Sequence, residues 1–213
     1  MRRRRIAGLA AALALGAAIS SGQDAASGLD DRWQVTAFGG GWNALTHPYI
    51  YRRPGFTSVV AFGNAPAYGL AVGRDVSSVL GLELAWTRTS PAEQFVGSPP
   101  TPIRTVTINQ IELDGLFYLR RGTFQPYAVF GMGGSNTGQS FGGTNLTIAV
   151  GLGVKAFLDR HFAVRADVRV ESTYGNEGTP GAPAFCDSGG GCYFYRSSWY
   201  WSLPVTAGLT YAF

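Results

Sequence analysis

From residue 199 to residue 213 every second position is apolar: Trp199, Trp201, Leu203, Val205, Ala207, Leu209, Tyr211 and Phe213. The positions between them, Tyr200, Ser202, Pro204, Thr206, Gly208, Thr210 and Ala212, are mostly small or polar. A strict period of two is that of a strand with one apolar and one polar face. The same period recurs upstream. Leu80, Leu82, Leu84 and Trp86 alternate with Gly81, Glu83, Ala85 and Thr87. Ile111, Leu113, Phe117 and Leu119 alternate with Gln110, Glu112, Asp114, Leu116 and Tyr118. Val150, Leu152 and Val154 alternate with Gly151, Gly153, Lys155 and Phe157, and Val164, Ala166 and Val168 with Arg165, Asp167 and Arg169. Segments 33–41, 66–74, 78–89, 105–120, 124–133, 144–158, 162–171 and 199–213 are the expected strands, eight in all. The pattern of 124–133 leaves its outward face open. Pro204 removes a ladder hydrogen bond, so a bulge or bend is expected there.

The connections alternate in length. Segments 42–64, 90–104, 134–143 and 172–197 are long, rich in Pro, Gly and Asn, and read as loops; 75–77, 121–123 and 159–161 are tight turns. In an antiparallel meander all the long connections then emerge at one end and all the turns at the other. His161, beside Asp159 and Arg160, is expected to cap the last of these turns.

Alternation alone does not say which face points outward, because a soluble barrel can bury its apolar face. Three features favour apolar-out. The polar face is glycine-rich and sparse in charge, which suits the crowded inside of an eight-stranded barrel. Its charges have both signs, Glu83, Glu112, Asp114 and Asp167 against Lys155, Arg165 and Arg169, so an internal ion-pair network can satisfy them. Aromatic residues gather at strand ends, with Trp86, Trp199 and Trp201 toward the long connections and Trp33, Phe157, Phe162, Tyr211 and Phe213 toward the turns. Two such belts fit the two interfaces of a bilayer.

The leader and composition agree. Arg2–Arg5, an apolar run over 6–19 and the small residues Ser20, Ser21 and Gly22 form an expected signal peptide, 1–22, followed by a short tether, 23–32. The chain has 17 Lys+Arg and 13 Asp+Glu, net +4, and the four leader arginines account for that excess. The remainder is neutral and makes no case for nucleic acid. Only 14% of residues are charged, while 13 Phe, 10 Tyr and five Trp are present. Export places Cys186 and Cys192, in CDSGGGC, in an oxidising compartment, and a local disulfide is expected. The alternative, a metal or redox pair, lacks both Cys-x-x-Cys spacing and a nearby histidine.

The alternation ending in Phe213 and the stretch GLGVKAFLDRHFAVRADVRV at 151–170 together carry a resemblance to the small eight-stranded outer-membrane barrels of the OmpA/OmpX and opacity-protein type. It covers residues 33–213. It implies an all-β, eight-stranded antiparallel up-and-down transmembrane β-barrel after a cleaved signal peptide, in the outer membrane of a Gram-negative-type bacterium. By the same resemblance Leu209, Tyr211 and Phe213 would form the signal read by the barrel assembly machinery. Nothing after Phe213 would supply a periplasmic domain.

Candidate chemistry is thin. His47 and His161 are the two histidines that could act as neutral-pH bases. Neither stands in a motif with a nucleophile. Glu112 and Asp114 share a strand face and could do acid–base work, but partners of opposite sign make an ion-pair network the simpler reading. Gly131–Gly138 lacks the Lys-Ser/Thr ending of a phosphate loop. No catalytic, cofactor-binding or metal-binding residue is assigned. The preferred function is a structural or surface-interaction barrel with a side-chain-filled lumen, touching membrane lipids, lipopolysaccharide and an extracellular protein or surface ligand through its long loops. The alternative is a small channel or transporter, and a lipid-modifying enzyme ranks below both.

Overall fold

Period-two segments leave a row of backbone donors and acceptors on each edge, and in hydrocarbon every one must find a partner. Closure of a barrel does this. The structure is a computed structural model and describes residues 32–46, 49–95, 101–137, 144–174, 183–186, 190–195 and 199–213. The expected leader, and the tether apart from Arg32, lie outside the described residues, as does His47.

In chain order the strands are β1 (Trp33–Ala44), β2 (Tyr49–Arg53), β3 (Phe56–Phe62), β4 (Ala65–Asp75), β5 (Leu80–Thr89), β6 (Ala92–Phe95), β7 (Thr101–Thr105), β8 (Ile108–Tyr118), β9 (Phe124–Asn136), β10 (Thr144–Phe157), β11 (Phe162–Tyr174), β12 (Pro183–Cys186), β13 (Cys192–Tyr195) and β14 (Trp199–Ala212). Eight of them form a closed barrel in the order β1-β14-β11-β10-β9-β8-β5-β4, antiparallel throughout. The seam pairs β1 with β14 from Gln34↔Ala212 to Ala44↔Ser202.

The wall is inside-out relative to a soluble protein. Leu152 is 65% exposed and Leu209 61%, whereas Asp114 is 0% and Lys155 1%. Hydrocarbon is the solvent for the first pair, and the second pair lies within the lumen. The open face of β9 is now assigned: Phe130 and Met132 point outward, and Gln125, Tyr127 and Val129 inward.

The turns carry their own chemistry. In 76–79, Ser77 Oγ accepts from the Val79 and Leu80 amides. In 158–161, Asp159 Oδ1 accepts from the His161 and Phe162 amides at 2.7 and 2.8 Å. The carboxylate is therefore the cap, and the expected capping role of His161 is corrected. The imidazole instead stacks on Tyr211, with centroids 5.9 Å apart.

Two expectations change. Pro204 produces no register shift. Val168↔Val205 and Glu171↔Ser202 keep one register, and only the β11 pairing between them lapses, while Trp42↔Pro204 holds on the other side. The proline is buried toward the lumen, so the strand tolerates a local gap instead of a bulge. The second change concerns three of the four long connections, which are not simple loops. They carry β2, β3, β6, β7, β12 and β13, and these build a second sheet in the order β12-β13-β2-β3-β6-β7. The β2–β3 hairpin turns on Pro54-Gly55, where Gly55 takes the positive φ (74°) that the second turn position favours. The Cys186–Cys192 disulfide ties β12 to β13 at directly opposed positions.

Candidate functional site

The inward side chains stack into layers along the barrel axis. At the turn end, Asp75 closes β4 and pairs with Arg121 at 2.9 Å, while accepting from Gln34 Nε2 at 2.8 Å. The Arg121 guanidinium lies over the Tyr118 ring, 3.6 Å from its centroid. Lys155 follows. Its ammonium donates to Gln34 Oε1 at 2.7 Å and to Tyr118 Oη at 3.1 Å. Among the described residues no carboxylate oxygen lies within 4.0 Å of it, so its expected place as a direct ion-pair member is corrected to a hydrogen-bonded cation beside the network. Burial in a low dielectric makes these neutral acceptors necessary.

The central layer is ionic. Arg165 reaches Glu83 at 2.6 Å from one side, and Asp167 at 2.6 and 3.2 Å from the other. Tyr127 Oη donates to Asp167 at 2.6 Å. One layer further, Arg169 pairs with Asp114 at 2.7 Å and Glu112 at 3.5 Å, and stands 4.0 Å from Glu83 and 3.9 Å from Asp167. β5, β8 and β11 thus deliver Glu83, Glu112, Asp114, Arg165, Asp167 and Arg169 to one cluster, although 82 residues separate Glu83 from Arg165. Both carboxylates considered for acid–base work engage the same guanidinium. The cavity left beside Arg165, Arg169, Glu171 and Pro204 is about 20 Å³, room for roughly one water.

Above the ions, Ser202 Oγ donates to Glu171 at 3.1 Å, and Thr147 and Thr173 share a bond of 3.1 Å. The loop end is then closed by an apolar layer. Trp42, Ala67, Val106, Ile108 and Tyr200, on or beside the barrel strands, pack against Tyr51, Val60 and Phe62 of the second sheet. Trp42 and Tyr200 both meet Phe62, at 6.0 and 5.9 Å. The second sheet is thus a lid with its apolar face turned into the mouth.

The outward aromatics fall at the two ends. Trp199 and Trp201 are exposed and Trp86 partly so, with Trp86 meeting Tyr68 at 6.2 Å. Trp33, Phe162, Tyr211 and Phe213 are exposed at the turn end, and Leu209 lies on the same face. Phe157 does not belong to this belt. It is 7% exposed and packs inward on Ala163 and Ala212, because its parity on β10 matches Lys155 and not Val154. Sequence reading placed Tyr118 on the polar face without giving it a role, and it missed Gln34, Asp75, Arg121 and Tyr127: no face was assigned to the first strand, the face of 124–133 was left open, and Asp75 and Arg121 were taken for turn residues. Among the described residues no group of three or more His, Cys, Asp or Glu is placed to hold a metal ion.

Comparison with known proteins follows the same lines. Residues 8–185 match the family model described as outer membrane protein beta-barrel domain. The structure is similar to that of the outer membrane protein OprG from Pseudomonas aeruginosa, with TM-score 0.53, 16% identity and coverage of 86% of this chain and 97% of that one. It is also similar to Neisserial surface protein A, with TM-score 0.51, 13% identity and coverage of 85% and 97%. At these identities the likeness is one of fold. No curated protein matches the sequence.

Proposed function

Because the chain belongs to the outer membrane protein β-barrel family and resides in the outer membrane of a Gram-negative bacterium, we propose that it is a closed, non-conducting barrel with a structural or surface-interaction role. The observation that supports this is the double closure of its axis: an ionic plug at the centre and an apolar lid at the loop end. An eight-stranded barrel has room inside only for side chains, and here they occupy it. On this reading the lid sheet and its hairpins are the parts that meet an extracellular protein, a surface ligand or lipopolysaccharide. Leu209, Tyr211 and Phe213, all facing outward at the turn end, are available to the assembly machinery. No reaction is assigned.

The test is planar-bilayer conductance of the refolded protein. The expected record is silent or shows only rare openings. Steady pores that disappear on Glu112→Gln or Arg165→Gln would refute the closed reading and favour the channel, in which the plug rearranges.

A further inference from the structure

We propose that the plug is held shut by protons on Glu112 and Glu171, and that their loss in alkaline medium opens the barrel. This control of the plug rests on the barrel being closed. Among the described residues of the barrel, the buried carboxylates Asp75, Glu83, Glu112, Asp114, Asp167 and Glu171 stand against the cations Arg121, Lys155, Arg165 and Arg169. Acids outnumber bases by two. An uncompensated carboxylate in so apolar a surrounding gives up its charge by taking a proton.

The hydrogen bonds show where the excess falls. Arg121 meets Asp75, Arg165 meets Glu83 and Asp167, and Arg169 meets Asp114, all at 2.9 Å or less. Lys155 is engaged by Gln34 and Tyr118. Glu112 is left 3.5 Å from the guanidinium that Asp114 already holds, and its Oε1 has no hydrogen-bond partner among the described residues. Glu171 accepts from the Ser202 hydroxyl at 3.1 Å and has, among the described residues, no cation within 4.0 Å. The two side chains are 3% and 5% exposed. The neighbouring elements do not supply the missing charge. The inward residues of β1, β9 and β14 are uncharged, β4 brings Asp75 and β10 brings Lys155, both toward the turn end, and Glu93 of the lid is itself engaged. The inward hydroxyls of Tyr118, Tyr127 and Tyr200 are neutral donors and acceptors. No three carboxylates among the described residues are placed to share a metal ion, which leaves protons as the counter-charge.

The same corner is a weak point of the wall. Glu171↔Ser202 is the pair that borders the lapse opposite Pro204. Glu171, Arg169 and Pro204 line the cavity of about 20 Å³. With both carboxyls neutral, that cavity stays small and the ionic layer balanced. Once ionised, they add two negative charges beside Asp114 and Glu83 and draw water into a stretch of wall whose ladder bonds lapse. The protonated state is therefore the closed one, and closure weakens as pH rises.

The test pairs infrared spectroscopy with conductance, both on the refolded full chain. In lipid vesicles at neutral pH the spectrum should contain the C=O stretch of protonated carboxyl groups, weaker in E112Q and in E171Q and absent in E112Q/E171Q. Planar-bilayer records should be silent at neutral pH and show brief openings in alkaline medium, their frequency rising up to about tenfold per pH unit for each proton lost. E112Q/E171Q, which keeps the shape of the neutral pair, should stay silent throughout. The heat-dependent gel shift reports whether each variant folds, and the wild-type spectrum and pH series stand without the variants. A wild-type spectrum without the carboxyl band, a band that the double variant retains, or alkaline openings that persist in the double variant overturn the proposal. So does opening by a chelator at neutral pH, which would assign the counter-charge to a bound metal ion. Silence at every pH refutes the proton control and leaves the closed reading intact, whereas steady pores at neutral pH refute the closed reading and the control with it.

Discussion

Replacing Arg165 with leucine tests whether the ionic layer holds the barrel together. Arg165 is 2% exposed, and its guanidinium is the nearest cation to both Glu83 and Asp167, at 2.6 Å each. Its removal leaves two buried carboxylates. Arg169 stands 4.0 Å from Glu83 and 3.9 Å from Asp167 and is already engaged with Asp114, so it cannot replace both bonds. Tyr127 still donates to Asp167, which softens the loss on that side. Breaking one partner out of a buried cluster destabilises by about 3–5 kcal/mol. That is a large part of the roughly 5–15 kcal/mol by which folded proteins are stable. Urea unfolding in lipid vesicles at neutral pH, followed by tryptophan fluorescence and by the folded-to-unfolded gel shift, measures it. The argument also fixes a rescue. In R165L/E83Q/D167N no charge is stranded, and most of the loss should be recovered. A single variant within about 1 kcal/mol of wild type, or a triple variant as unstable as the single one, would refute the reasoning.

Other perturbations probe the wall, the packing and the turns. Val205 lies midway between Trp201 and Tyr211 and faces outward, so V205R should lose about 2–4 kcal/mol in the same unfolding assay; L209R, next to the interfacial Tyr211, should lose less. G153V should destabilise by about 1–3 kcal/mol, because a side chain there meets the Tyr127 ring. G39V, whose nearest neighbour atom is the Ala67 carbonyl oxygen at 3.7 Å, should be tolerated. The Asp159 carboxyl is held below the usual aspartate range by the two amides that donate to it. A depressed folded value stabilises above the unfolded carboxyl range and is lost as pH falls through the folded value. The difference in urea midpoint between wild type and D159A should thus be present at neutral pH and fade in acid; a difference that grows as pH falls would contradict this.

The extent of what could be read from the chain differs sharply between wall and site. The barrel strands could be placed to within a few residues because alternation is local: each side chain's face follows from its neighbours two positions away. Inward parity likewise marked Glu83, Asp114, Arg165 and Asp167 as lumen residues. Their partners could not be read that way, since Arg165 meets Glu83 across strands that are far apart in sequence. Lys155 shows the limit. Parity sent it inward correctly, yet Gln34 and Tyr118 receive it instead of a carboxylate. Phe157 shows the opposite error, where position near a strand end was allowed to outweigh parity.

The linear order of residues was enough to determine an inside-out, even-stranded wall with its turns at one end, since period two, turn residues and aromatic ends are properties of short stretches. Tertiary structure alone decided the outward face of β9, the gap without slippage at Pro204, and the lid. The lid depends on β13 meeting β2 and β3 meeting β6, short strands whose few residues carry little periodicity of their own. Their pairing becomes favourable only when the closed barrel holds those segments above one mouth and offers Trp42, Ile108 and Tyr200 for them to cover.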